Sequence, residues 1–353
     1  MKRSHVIILL LIAVAFSVYS CKSKETISAM LDNEHGLYES AINNANLALE
    51  KNPDDAEAHF QLGVSYSYIG KMAEAYREFM AAARLNPKKL EDCENNIKHN
   101  WAVHFNSGIT EYQSENWEGA LKEFELTAQA DPRQIKGWLY LTDVLYILNR
   151  DDSTGAAYRE QAFAAGDSLL ARAEKGLEEY GEAMTLGGKI MVLRGENERA
   201  YQIFQELIAE DPSYFEKAEE IGDVYANKND WVNAAKLYEL AADGRMQTNN
   251  QSFDLYYNLG VSYYKMENYV MSADAYQRAL TLEPDNRNAN YSIFLTYFKA
   301  GMYDEAVVVG QKYTEQIAPD DASGWQILAR CYGEKGMNIK SEEAIQKYME
   351  LSQ

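Results

Sequence analysis

Proline is scarce in this chain, with six in 353 residues. It removes a backbone donor and clashes with the preceding turn, so its rarity leaves room for a largely helical protein. Cysteine is scarcer still, at three. No stretch rich in proline, glycine and serine interrupts the chain, which excludes a flexible linker and an internal domain boundary in the mature part. Positive charge is also short: 34 Lys and Arg stand against 54 Asp and Glu, a net charge of −20. Such a field repels phosphate backbones and argues against a nucleic-acid partner. What is abundant is apolar surface, at 46% of residues, enough for a substantial core.

The first 21 residues read MKRSHVIILLLIAVAFSVYSC. Lys2 and Arg3 precede an uncharged apolar run from Val6 to Val18. That layout suits a secretory signal peptide and is too short for a membrane-spanning helix, which needs roughly 20 residues. The run ends in Val18-Tyr19-Ser20-Cys21. This resembles the lipobox of bacterial lipoproteins, an aliphatic residue and two smaller ones before a cysteine, although Tyr19 is bulkier than the motif usually carries. The resemblance implies removal of residues 1–20, lipidation of Cys21, and a mature chain of residues 21–353 tethered to a membrane outside the cytoplasm. Two or more acyl chains anchor stably where one does not. Residue 22 is Lys and not Asp, so the expected address is the outer membrane facing the periplasm, with surface display as the alternative.

The prolines at 53, 87, 132, 212, 284 and 319 are separated by 34, 45, 80, 72 and 35 residues, multiples of 34 with additions. Each follows Asn, Asp, Glu or Ala, a residue that proline pushes out of helical conformation. Within residues 56–89 an apolar stripe runs His59, Leu62, Gly63, Tyr66, then Ala75, Phe79, Ala82, and Pro87 closes it. The first four lie on one face of a helix and the next three on a facing helix, with the turn at Gly70. The pattern recurs as Tyr256, Leu259, Gly260, Tyr263, Tyr276, Ala279 and Pro284, and as His104, Gly108, Ala120, Phe124 and Pro132.

These residues resemble the tetratricopeptide repeat, W-x2-L-G-x2-Y, A-x3-F-x2-A, P. The resemblance implies an all-α fold, a right-handed α-solenoid of about nine helix-turn-helix repeats. Repeats are expected at about 22–55, 56–89, 101–134, 135–180, 181–214, 215–252, 253–286, 287–321 and 322–353. Two additions break the period. Residues 90–100 carry the stripe Leu90, Cys93, Ile97, Trp101 and are expected to lengthen the next helix by about three turns. A second addition lies within 150–180, where Leu170, Ala173, Leu177 and Met184 make a stripe leading into the next repeat. Either addition braces the solenoid or offers a partner an apolar edge. Cys93 and Cys331 lie several repeats apart and are expected to remain two free thiols.

In this family ligands meet first-helix side chains that line a concave groove. The fifth and twelfth positions offer Phe60, Phe105, Tyr112, Tyr257, Tyr264, Tyr291 and Phe298 as candidate partner-binding residues, with Leu139 and Tyr146 beside them. Large rings give contact area at low entropic cost, suiting an extended peptide or amphipathic helix. Glu216, Glu219 and Asp223 form an acidic set at matching positions, suited to a basic segment.

No catalytic, metal or cofactor site is expected. His59 and His104 fall at a core packing position, and His99 and His104 do not share a helix face, which spoils a metal pair. Leu186-Gly187-Gly188-Lys189 lacks the rest of a phosphate loop, and no G-x-S-x-G element occurs. The expected function is a membrane-tethered interaction scaffold of the bacterial envelope, binding a peptide, a helix or a subunit of an envelope complex. The alternative is a ligand-handling accessory lipoprotein of a transport system.

Overall fold

The computed structural model describes residues 22–149 and 155–352. Cys21 and the leader read from residues 1–20 lie outside the described residues. Two compact units divide between Glu174 and Lys175, and each is described by itself. Among the described residues every regular element is helical.

The first unit holds four hairpins: α1 (Lys24–Glu34) with α2 (Tyr38–Lys51), α3 (Ala56–Tyr68) with α4 (Met72–Leu85), α5 (Leu90–Gln113) with α6 (Trp117–Ala130), and α7 (Ile135–Asn149) with α8 (Gly155–Leu170). The second holds five: α9 (Tyr180–Arg194) with α10 (Asn197–Glu210), α11 (Phe215–Asn227) with α12 (Trp231–Gln247), α13 (Phe253–Lys265) with α14 (Tyr269–Leu282), α15 (Arg287–Lys299) with α16 (Tyr303–Lys312), and α17 (Ala322–Glu334) with α18 (Asn338–Leu351). Positions are counted from 1 at residues 22, 56, 101, 135, 181, 215, 253, 287 and 322. Within each unit neighbouring hairpins bury their apolar flanks against one another, as a solenoid requires.

Local chemistry sets the helix ends. The Asp55 carboxylate accepts from the backbone N–H groups of Glu57 and Ala58 and starts α3, and Asn116, Asp230, Ser252, Asn268, Asn286 and Asp321 start later helices similarly. Asn52, Asn86, Asp131 and Asp211, each before a proline, are extended and stop the second helix. Between paired helices, position 15 takes the left-handed conformation. Glycine supplies it at 36, 70, 195, 301 and 336, but Glu115 (φ 57°), Asn229 (φ 59°) and Glu267 (φ 60°) adopt it as well. A non-glycine residue pays sterically there, by about 1–2 kcal/mol.

Seven of the hairpins close on a pair of positions, 8 and 24. A Cβ on Gly63, Gly108, Gly188, Gly222 or Gly260 would stand 2.6–2.7 Å from ring carbons of Phe79, Phe124, Phe204, Tyr238 or Tyr276. In hairpin α15–α16 the pair is inverted: Phe294 sits on the first helix and Gly310 on the second, and a Cβ at Gly310 would meet the ring at 2.6 Å. In α1–α2 both positions are alanine, Ala29 and Ala45, and both are fully buried.

The proline carbonyls have a partner of their own. His59 Nε2, Trp138 Nε1, Asn290 Nδ2 and Trp325 Nε1, all at position 4, lie 3.0–3.1 Å from the carbonyl oxygens of Pro53, Pro132, Pro284 and Pro319, six residues earlier. Position 4 therefore clasps the preceding turn. At the N-terminal edge, Lys22 and Lys89 both reach Glu57, at 3.1 and 2.9 Å. Burial opposes ionisation of Glu57, but hydrogen bonds from Gln61, Lys89 and Lys22 outweigh it and hold the carboxyl below its usual range.

The two additions, and the one-residue excess between Pro284 and Pro319, resolve differently. Residues 90–100 form the first half of α5, and Cys93 and Ile97 are buried against Phe79 and Ala82 of α4. The segment covers the preceding hairpin rather than presenting an apolar edge. The stripe expected from Leu170 through Leu177 to Met184 does not continue as a helix extension. Residues 171–179 are turns, Gly176 is left-handed at φ 94°, and Leu177 is exposed. The extra residue between Pro284 and Pro319 is absorbed by a π-turn, Tyr313–Ile317, which ends α16.

Candidate functional site

The candidate aromatics are all half-buried, and the hairpin itself determines their settings. At the fifth position, Phe60, Phe105 and Tyr257 lie against the position-24 rings of Phe79, Phe124 and Tyr276, with centroids 5.7, 6.0 and 5.5 Å apart. Tyr291 lies against Tyr313 at 5.5 Å. At the twelfth position, Tyr112, Tyr264 and Phe298 pack on Trp117, Tyr269 and Tyr303 at the start of the paired helix, at 5.3, 5.6 and 6.2 Å. One side of each ring is fixed by its hairpin, so the part left exposed is rigid.

In the first unit Phe105 and Tyr112 are brought together by Tyr140 of α7, at 5.4 and 5.7 Å. Trp101 stacks on Phe105 at 4.5 Å, and the Tyr112 hydroxyl donates to Asp143 at 2.5 Å. Burial, reinforced by Asp143, raises the Tyr112 phenol well above its ordinary value. Phe60 stands apart from this cluster, with the Lys89 ammonium 4.4 Å from its ring centroid. In the second unit Tyr264 and Tyr291, from successive first helices, lie close enough for their hydroxyls to interact electrostatically. Leu139 and Tyr146 are half-buried on α7.

The acidic set of the sixth repeat is already engaged. Glu219 is paired with Arg245 at 2.7 Å, and Asp223 accepts from the Tyr238 hydroxyl at 2.5 Å. Only Glu216 of the three is exposed without a partner among the described residues, so little free charge remains for a basic segment.

His59 and His104 are not core residues. Both are half-buried, and each Nδ1 meets a glutamate nineteen residues on, Glu78 at 2.5 Å and Glu123 at 2.8 Å. The Glu78 hydrogen bond, against partial burial, raises the His59 pKa. Cys93 and Cys331 are unbridged and buried, and burial pushes both thiols to about 11, which makes them poor nucleophiles. Among the described residues no group of three or more His, Cys, Asp or Glu is placed to hold a metal, and no helix is long and apolar enough to cross a membrane. Sequence reasoning missed the position-4 clasp and the histidine–glutamate pairs. The constant spacings of six and nineteen residues were their only signal.

Comparison with known proteins agrees with this geometry. The tetratricopeptide-repeat family models match residues 56–89 and residues 253–286. A TPR repeat-containing protein of Methanocaldococcus jannaschii is 26% identical over 79% of this chain and 55% of its own. The BBSome complex member BBS4 homolog of Drosophila melanogaster is 21% identical over 86% of this chain and 60% of its own. The chain thus spans a little over half the length of these curated relatives. Among solved structures, the C-terminal part of a TPR repeat-containing protein from Cytophaga hutchinsonii is 16% identical, covering 70% of this chain and 95% of that one, with a TM-score of 0.48. Repeats of this type generally mediate protein–protein interactions. The two matched segments are hairpins α3–α4 and α13–α14, which carry the glycine–ring pair and left-handed turn that recur in both units; the chain carries tetratricopeptide repeats at residues 56–89 and 253–286.

Proposed function

We propose that the protein is a lipid-tethered interaction scaffold of the bacterial envelope. Cys21 holds it to the membrane, and the fifth- and twelfth-position aromatics of its first helices hold segments of a protein partner. The observation that supports this reading most directly is the double role of those rings. Each is immobilised on one side by its own hairpin while part of it stays exposed. A ring ordered before binding loses little entropy on contact, which is the property of an interface anchor. The partner class that suits such a surface is an apolar or amphipathic peptide segment.

The test places a photo-crosslinking residue at Tyr264 in the native cells and, as a control, at exposed Lys122 on α6. One protein should crosslink at Tyr264 and not at Lys122. Changing Tyr264 and Phe298 together to Ala should weaken its capture by about 2 kcal/mol or more, with the helical circular-dichroism signal retained. Cys21→Ser should release the protein from membranes without altering that binding. Unchanged capture by the double variant would remove the aromatic reading, and unchanged membrane attachment of Cys21→Ser would remove the lipid anchor.

A further inference from the structure

We propose that a small cavity in the first unit, between hairpin α3–α4 and the long helix α5, binds a neutral saccharide. The cavity has a volume of about 230 Å³, of the order of a single sugar ring. Val64, Met72 and Val103 give it an apolar wall. No Asp, Glu, Lys or Arg lines it, although charged residues make up 25% of the chain. A charged ligand would find no Lys, Arg, Asp or Glu counter-charge in the lining, whereas a neutral one has none of these charges to desolvate.

The polar groups in the lining are held in place and still have capacity. Asn100 Nδ2 donates to Ser67 Oγ at 2.7 Å, and Asn96 Nδ2 donates to the Asp92 carbonyl at 2.8 Å. Each amide is thereby oriented, with its Oδ1 left as an acceptor. His104 is fixed through Nδ1 by Glu123 at 2.8 Å, which leaves Nε2. His99 and the Tyr68 hydroxyl have no partner among the described residues. The cavity therefore offers both donors and acceptors. Hydroxyl groups, which donate and accept at once, are the ligand groups that match such a mixture.

An aromatic ring in the lining favours a sugar among neutral polar ligands. Tyr68 is 67% exposed, yet its ring is stacked on Tyr38 of the preceding hairpin, with centroids 4.5 Å apart and planes 6° from parallel. It is a flat apolar face, fixed in advance and open to solvent. A pyranose has the complementary shape, with a face of C–H groups and a rim of hydroxyls. A peptide amide is also planar, but it presents one donor and one acceptor where a pyranose presents a rim of groups that each do both. The cavity contains none of the seven aromatics assigned to the protein partner, and its occupancy is independent of that assignment.

Calorimetric titration of the purified full chain with maltotriose, cellotriose, xylotriose and N,N′-diacetylchitobiose tests the proposal, with N-acetyl-trialanine amide as the probe for the peptide class. At least one saccharide should bind saturably. Tyr68→Ala and Asn100→Ala should each weaken it by about tenfold or more, while Tyr68→Phe keeps the platform and most of the affinity. Tyr257→Ala, in the second unit, should leave it unchanged. Tyr68 is exposed, so its variants are expected to fold, and circular dichroism checks this. The proposal is overturned if no saccharide saturates, if binding survives both alanine variants, or if the peptide amide alone binds.

Discussion

In five hairpins a glycine faces a ring, and in one the two have changed places. Phe294 and Gly310 occupy positions that elsewhere hold the glycine and the aromatic, and Phe294 is fully buried. What these six hairpins share is one large and one absent side chain across a close crossing, whichever helix supplies the ring. Phe294→Gly alone should cost about 3–5 kcal/mol through the cavity it leaves. Gly310→Phe alone should cost about 1–3 kcal/mol by overpacking. The double variant restores the arrangement of the other hairpins, so it should recover most of the combined loss. Urea denaturation of the three variants measures this coupling, and simple additivity would refute the exchange. His59 makes a second prediction at this scale. Its ring lies between two acceptors, the Pro53 carbonyl and the Glu78 carboxylate, which only the doubly protonated ring satisfies with both nitrogens. The folded pKa is raised above 6.5. The extra stability is therefore complete below the unfolded value and is lost as pH rises through the folded one. Between pH 6 and pH 9 the native protein should lose stability that His59→Trp does not lose, because an indole still donates to the proline carbonyl but carries no proton to release. Parallel pH profiles of the two thermal midpoints would refute the clasp.

Among the elements, α5 shows how an insertion becomes structure. Its first turns cover the flank of α4, and Ile97 is 1% exposed while Leu90 is 48% exposed. Ile97→Ala should cost about 2–5 kcal/mol and Leu90→Ala less than about 0.5 kcal/mol, measured by chemical denaturation. Equal effects would mean that the extension does not brace its neighbour. Much of this element level was legible in the sequence, because prolines stop helices and a glycine followed sixteen residues later by a ring survives in most repeats. The first hairpin was only half legible, since Ala29 and Ala45 are too ordinary a pair to signal a crossing. The inverted hairpin carries no glycine at the eighth position and so was not legible from register, because complementarity belongs to a pair and not to a site. Glu115 and Glu267 hid two left-handed turns behind residues that rarely adopt them. The break after Leu170 was overridden by a stripe of suitable period, although Gly176 marked it. For the candidate site, the aromatic positions could be read from the repeat register. Their packing partners could not, since rings at positions 17 and 24 are common for reasons of hairpin closure alone. The cavity beside Tyr68 was invisible to register, because Asn96, His99 and Asn100 of its lining come from the α5 extension, outside the 34-residue frame.

For the whole molecule, the net charge of −20 is the dominant long-range quantity. The ion pairs are mostly exposed and contribute little each. Self-repulsion among the surplus carboxylates opposes compactness. Raising salt from about 10 mM to about 150 mM shortens the screening length from roughly 30 Å to roughly 8 Å. The thermal midpoint should therefore rise over that range, and a fall would show that the paired charges outweigh the unpaired ones.

The pinning of Lys22 bears on how such a body would move. Its ammonium is fastened to Glu57 on α3, and Ser23 already caps α1. Neighbouring Cα atoms are about 3.8 Å apart, so a lipid on Cys21 would be joined to the folded array with almost no slack. A body on so short a leash cannot sample the space above a bilayer. It would skate along the headgroups, and its encounters would be set by lateral diffusion in a sheet rather than by concentration in a volume. A partner resident in the same leaflet would then be met at high effective concentration even where its intrinsic affinity is weak, whereas a soluble partner would gain nothing from the tether.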